Sequence, residues 1–98
     1  MFTNPRYLTR GINDSVAPEL QLCMWHMIDM MNVEKDYLQV FELSIVEIDG
    51  VSVQHIHHFQ EVPPFSQDID LILDNPITSR IYVIDDGDHS TMLLTEEY

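Results

Sequence analysis

The sequence predicts an α+β domain, with one N-terminal amphipathic helix packed on a mostly antiparallel sheet of about four to six strands. Three observations lead there. Apolar residues recur at helical spacing behind Pro18, which fits only a first turn. Two Asp-Gly pairs, Asp49-Gly50 and Asp86-Gly87, each stand between β-rich runs, as hairpin turns do. No repeat, low-complexity tract or linker divides the 98 residues, so residues 1–98 read as one domain.

The elements follow in order. Arg6-Tyr-Leu-Thr-Arg10 reads as a short strand ending at Gly11. Ser15 is placed to cap a helix that runs to about Asn32. On that helix Leu20, Cys23, Met24, Met27, Ile28, Met30 and Met31 fall on one arc, which faces a core. Leu22 and Trp25 fall among Glu19, Gln21, His26, Asp29 and Asn32 on the other half and need separate cover, such as the Pro63-Pro64 loop. Tyr37 to Ile48 is β-rich, and Val51 to Glu61 is its return strand. There, Val51, Val53, His55, His57 and Phe59 share one face, and Ser52, Gln54, Ile56, His58 and Gln60 share the other. Residues Asp68 to Asp74 fit a short strand or one helical turn. Arg80 to Asp85 and Thr91 to Thr95 form a second hairpin.

Composition narrows the function. Seventeen acids face four bases, for a net charge of −13. The excess grows along the chain: three bases meet eight acids up to Asp49, and Arg80 alone meets nine acids after it. Direct nucleic-acid binding is not expected, because affinity for phosphate rests on Lys and Arg. A basic protein is the favoured partner. No apolar run reaches the roughly 20 residues of a membrane span. The N-terminus lacks the basic and apolar regions of a signal peptide, and Cys23 has no disulfide partner. Together these point to the cytoplasm.

Several segments carry a resemblance. They are Arg6-Tyr-Leu-Thr-Arg-Gly11, Asp36-Tyr-Leu-Gln-Val-Phe-Glu-Leu43, Gln60-Glu-Val-Pro63, Ile84-Asp-Asp-Gly87 and Ser90-Thr-Met-Leu-Leu94 with Glu96-Glu-Tyr98. Over nearly the whole chain the pattern resembles the small-protein family catalogued as domain of unknown function 960. The resemblance implies a cytoplasmic protein of Gram-positive bacteria or their mobile elements. It brings no catalytic or binding residues to transfer.

Among local motifs, His55-x-His57-x-x-x-Glu61 is the sharpest. Two imidazoles on one strand face, roughly 6.5 to 7 Å apart, can share a Zn, Fe or Mn ion that a carboxylate completes. The spacing resembles half of the cupin metal motif of small β-barrels. Asp68 stands where its trailing glycine belongs, and no partner motif follows. Against this stands a plain His-bearing strand. Asp85, Asp86 and Asp88 surround a turn that a hard cation could occupy, but their spacing is that of an ordinary hairpin. Cys23, on the apolar arc, reads as an inert thiol. No nucleophile elbow, phosphate loop or dinucleotide fingerprint is present, and no cofactor is expected.

The expectation is therefore a non-enzymatic interaction protein that binds a basic protein surface. Asp68, Asp70, Asp74, Asp85, Asp86, Asp88, Glu96 and Glu97 are its candidate contacts, with Trp25 as an apolar anchor. In its most specific form it mimics nucleic acid and inhibits a nucleic-acid-binding enzyme, as anti-CRISPR or anti-restriction proteins do. The alternatives are the metal-binding barrel and a housekeeping adaptor.

Overall fold

The computed structural model describes residues 1–98. The fold is α+β: a six-stranded mixed sheet and two helices. The strands are β1 (Arg6–Leu8), β2 (Leu38–Ile48), β3 (Val51–Gln60), β4 (Phe65–Leu71), β5 (Ser79–Asp85) and β6 (Ser90–Leu94). Their order is β1-β6-β5-β2-β3-β4. Only β1 with β6 is parallel. The sheet is open, with β1 and β4 as its edges, so it is not the closed barrel that the metal motif implied. The ambiguous segment 68–74 contributes to a strand, β4, which begins earlier than expected.

The helix expected from Ser15 to Asn32 is α2 (Pro18–Asp29), and a separate helix that was not expected, α1 (Arg10–Ser15), precedes it where the first strand was expected to end. A residue before proline is pushed out of the helical region, and Ala17 is extended at φ −58°, ψ 144°. That breaks the chain between Ser15 and Pro18. Ser15 does not cap α2, whose N-cap is Ala17 with no side-chain cap; Thr9 caps α1, accepting from the Ile12 N–H. The Ser15 hydroxyl instead donates to the Gly11 carbonyl at 2.6 Å. The turn at Asp49-Gly50 is as expected, with both residues at positive φ (51° and 79°).

The core lies between the helices and one face of the sheet. Ile12, Leu20, Met24 and Ile28 pack in one cluster with Phe41, Ile56, Ile81 and Met92. α2 stops at Asp29, which leaves Met30 outside the core at 68% exposure. Trp25 is in the core at 8% exposure. Its cover is not the Pro63-Pro64 loop but Arg6, whose guanidinium lies 4.7 Å from the ring centre and pairs with Asp29.

The same sheet face carries a buried polar chain. Gln39, Gln54, His58 and Gln60 are all buried there. His58 stacks on Phe41 at 4.2 Å and 10°. Its Nε2 donates to Gln39 Oε1 (2.7 Å), and its Nδ1 accepts from Gln67 Nε2 (2.9 Å). Gln39 Nε2 donates to Gln60 Oε1 and the Asp36 carbonyl. Gln60 Nε2 donates to the Glu34 and Pro63 carbonyls. No buried side-chain donor or acceptor lacks a partner. A chain this complete ties β2, β3 and β4 to the loop before β2, its hydrogen bonds offsetting the cost of desolvation.

Candidate interaction surface

The helices cover one face of the sheet and leave the other open. Register shows what that open face carries. Phe59, Val40, Tyr82 and Leu93 lie opposite one another across β3, β2, β5 and β6. The next row is Asp68, His57, Glu42 and Arg80, on β4, β3, β2 and β5. Beyond it lie Asp70, His55 and Ser44, and then Val46 with Val53 and Ile48 with Val51. A charged stripe thus crosses the face between two apolar zones. At the far end Ile48, Val51, Val53 and Ile72 line a shallow notch of about 400 Å³ with Asp49 and Asp70. Ile72 there is 83% exposed. On the other side the C-terminal Tyr98 meets Tyr82 edge to face at 5.6 Å.

Within the stripe the histidines have cross-strand carboxylates. His55 Nδ1 lies 2.7 Å from Asp70 Oδ1, and His57 Nδ1 is hydrogen-bonded to Asp68 Oδ1. The His57 hydrogen bond, with charge from His57 and His55, holds Asp68 below the usual carboxylate range. Glu61 lies beyond the end of β3, and no group of three His, Cys, Asp or Glu side chains converges as metal ligands would. The His55, His57 and Glu61 set is therefore not assembled: β4 supplies the partners that the motif sought downstream.

The other candidate acids divide into two kinds. Asp85 is buried and structural. Burial opposes its charge, but the Phe2 and Gly87 N–H groups, the Asn4 amide and the N-terminal charge outweigh that and lower its pKa. Its oxygens accept from Phe2 N at 2.7 Å, Gly87 N at 2.8 Å and Asn4 Nδ2 at 2.9 Å. Glu97 is also engaged: it accepts from the Thr9 hydroxyl, the Gly11 N–H and the Leu94 N–H, which together lower its pKa. Asp74, Asp86, Asp88 and Glu96 are exposed. Asp86 organises its loop, accepting from the Asp88 and His89 N–H groups and pairing with the His89 ring. The turn is thus longer than the Asp86-Gly87 pair alone. The eight acids do not form one row. Burial of Trp25 removes it as a surface anchor and leaves Leu22, 69% exposed, on the helix side.

A family model described as a staphylococcal protein of unknown function, DUF960, matches residues 5–97. The chain belongs to the DUF960 family. A crystal structure of a protein of unknown function from Enterococcus faecalis is similar to this DUF960 chain. The two share 28% identity and a TM-score of 0.75, over 97% of this chain and 91% of that one. No curated protein matches. The thiol of Cys23 is half-buried, and burial raises its pKa. No helix is long and apolar enough to cross a membrane.

Proposed function

We propose that this DUF960 chain is a non-enzymatic interaction protein that binds a basic protein through the open face of its sheet. The observation that carries the reading is that face itself: the helices leave it uncovered, a charged stripe crosses it, and Ile48, Val51 and Ile72 stand exposed beside the stripe. Uncovered patches of this kind, rimmed by polar groups, are characteristic of interaction sites. Charge supplies the sign of the partner. The net charge is −13, and all three arginines are paired with carboxylates: Arg6 with Asp29, Arg10 with Asp14 and Arg80 with Glu42. Long-range attraction therefore favours a basic surface and speeds its approach.

The most specific form of the reading is competition with nucleic acid for a basic groove, carboxylates standing for phosphates. The exposed acids Asp74, Asp88 and Glu96 are the ones free to act in that way, while Asp86 is engaged within its own loop. Capture of partners on immobilised protein tests the reading. The expected partner is basic, elutes as salt rises, and is lost from a Tyr82→Ser, Ile84→Ser variant that still folds, since Ile84 lies two residues from Tyr82 on the same face of β5, opposite Leu38 and Thr91. A partner retained by that variant and indifferent to salt would contradict it.

A further inference from the structure

We propose that β4 is a docking edge at which an extended basic segment of the partner adds a seventh strand. This rests on the reading of the chain as a binder of basic proteins and names how such a partner is held. Sheet edges are aggregation hazards, and proteins blunt them by shortness, proline, charged side chains or a bulge. β1, the other edge, is short: it has three residues. β4 is blunted by charge alone. It runs for seven residues, Phe65-Ser-Gln-Asp-Ile-Asp-Leu71, with no proline or lysine. It pairs with β3 in unbroken register from Gln60–Phe65 to Gln54–Leu71, without a bulge. None of the backbone hydrogen bonds outside the helices and ladders engages it. Its outer N–H and C=O groups are therefore available for a further strand.

Charge selects the occupant. Asp68 and Asp70 project from this edge onto the open face, two residues apart. Antiparallel pairing of two copies centred on the strand sets Asp68 against Asp68 or Asp70 of the other copy, and like charges directly opposite destabilise a pair. A strand with Lys or Arg at alternate positions meets those carboxylates instead. Its next residue on the same face reaches the notch formed by Ile48, Val51 and Ile72, where an apolar side chain fits. The recognised segment is thus extended and alternates basic with β-branched residues, with an apolar residue at one end.

The probe is a synthetic peptide as long as β4 that alternates Arg with Val and ends in Leu. Amide hydrogen exchange of the full-length protein reads it out. Binding should slow exchange across residues 65–71. N-methylation of the peptide at one alternate set of residues should abolish binding, and methylation of the other set should leave it intact. Asp68→Asn with Asp70→Asn should weaken it about tenfold, a loss of roughly 1.4 kcal/mol. No binding at about 1 mM peptide, where even a complex of ~4 kcal/mol registers, would overturn the proposal. So would equal effects of the two methylated sets, or binding without protection of β4. A basic partner that covers Tyr82 and leaves the β4 amides unprotected would overturn the edge and keep the open-face function.

Discussion

Acid should loosen this protein through a single buried ring. His58 has no exposure, and its two glutamine partners fix its tautomer. Burial above all, then the neighbouring His57, pushes its pKa down to about 4 from 6.5. In the unfolded chain His58 takes a proton as pH falls through 6.5, while the folded chain resists until about 4. The stability it provides is complete above pH 6.5 and drains away between there and about pH 4. That window of about 2.5 units, at 1.36 kcal/mol each, corresponds to about 3 kcal/mol. Against a total of 5–15 kcal/mol for a typical domain the loss is large. The assay is urea unfolding of wild type and His58→Phe between about pH 7.5 and pH 4. Phenylalanine keeps the stack on Phe41 but strands Gln39 Oε1 and the Gln67 amide, which costs roughly 1–3 kcal/mol for each group. Other titrating groups are common to both proteins and cancel. The gap between them should be widest above pH 6.5 and should narrow by about 3 kcal/mol towards pH 4. A gap constant across that range, or a folded His58 that titrates near 6.5 by NMR, would refute the reasoning.

Three further outcomes follow from single contacts. Gly11→Ala should destabilise, since a Cβ there would lie 2.7 Å from the Glu97 carboxylate; in a Glu97→Ala background the same change should cost little, a non-additivity that a double-mutant cycle measures. Asp85→Asn should lower stability by about 1–3 kcal/mol in chemical unfolding, because one acceptor becomes a donor facing the Phe2 N–H or the Asn4 amide. Trp25→Ala should cost about 3–5 kcal/mol, whereas Leu22→Ser should stay within about 0.5 kcal/mol; blue-shifted emission from this sole tryptophan checks the burial directly.

How far the sequence spoke depended on whether the information was local. The Asp49-Gly50 turn was legible because only positive φ closes so tight a hairpin, and that requirement sits in two adjacent residues. The missed helix, α1, is six residues long with Ile12 its one buried side chain, too short to show an apolar period. Trp25 was misplaced because its cover comes from Arg6, an arrangement no helical wheel contains. On β3 the more apolar face, with Val51, Val53 and Phe59, is the open one. The buried face holds Gln54, His58 and Gln60, acceptable there only because Gln39, Gln67 and backbone groups, such as the Ser44, Ile77, Glu34 and Pro63 carbonyls, complete their hydrogen bonds. Hydropathy alone inverts such a strand. The acids show the same limit. Composition gave their number, but pairing decided that Asp85 and Glu97 hold the termini and turns while Asp68 and Asp70 stand on an open edge.

Footprinting of a captured complex separates the open face from the helix side. Protein retained from a bacterial lysate would be cross-linked and its contacts mapped by surface labelling. The expected partner is basic, is released as salt rises, and protects Phe59, Tyr82 and Ile84 while Leu22 and Met30 on the helix side remain reactive. A partner that protects Leu22 and Met30 and leaves the sheet face labelled would contradict binding through the open face.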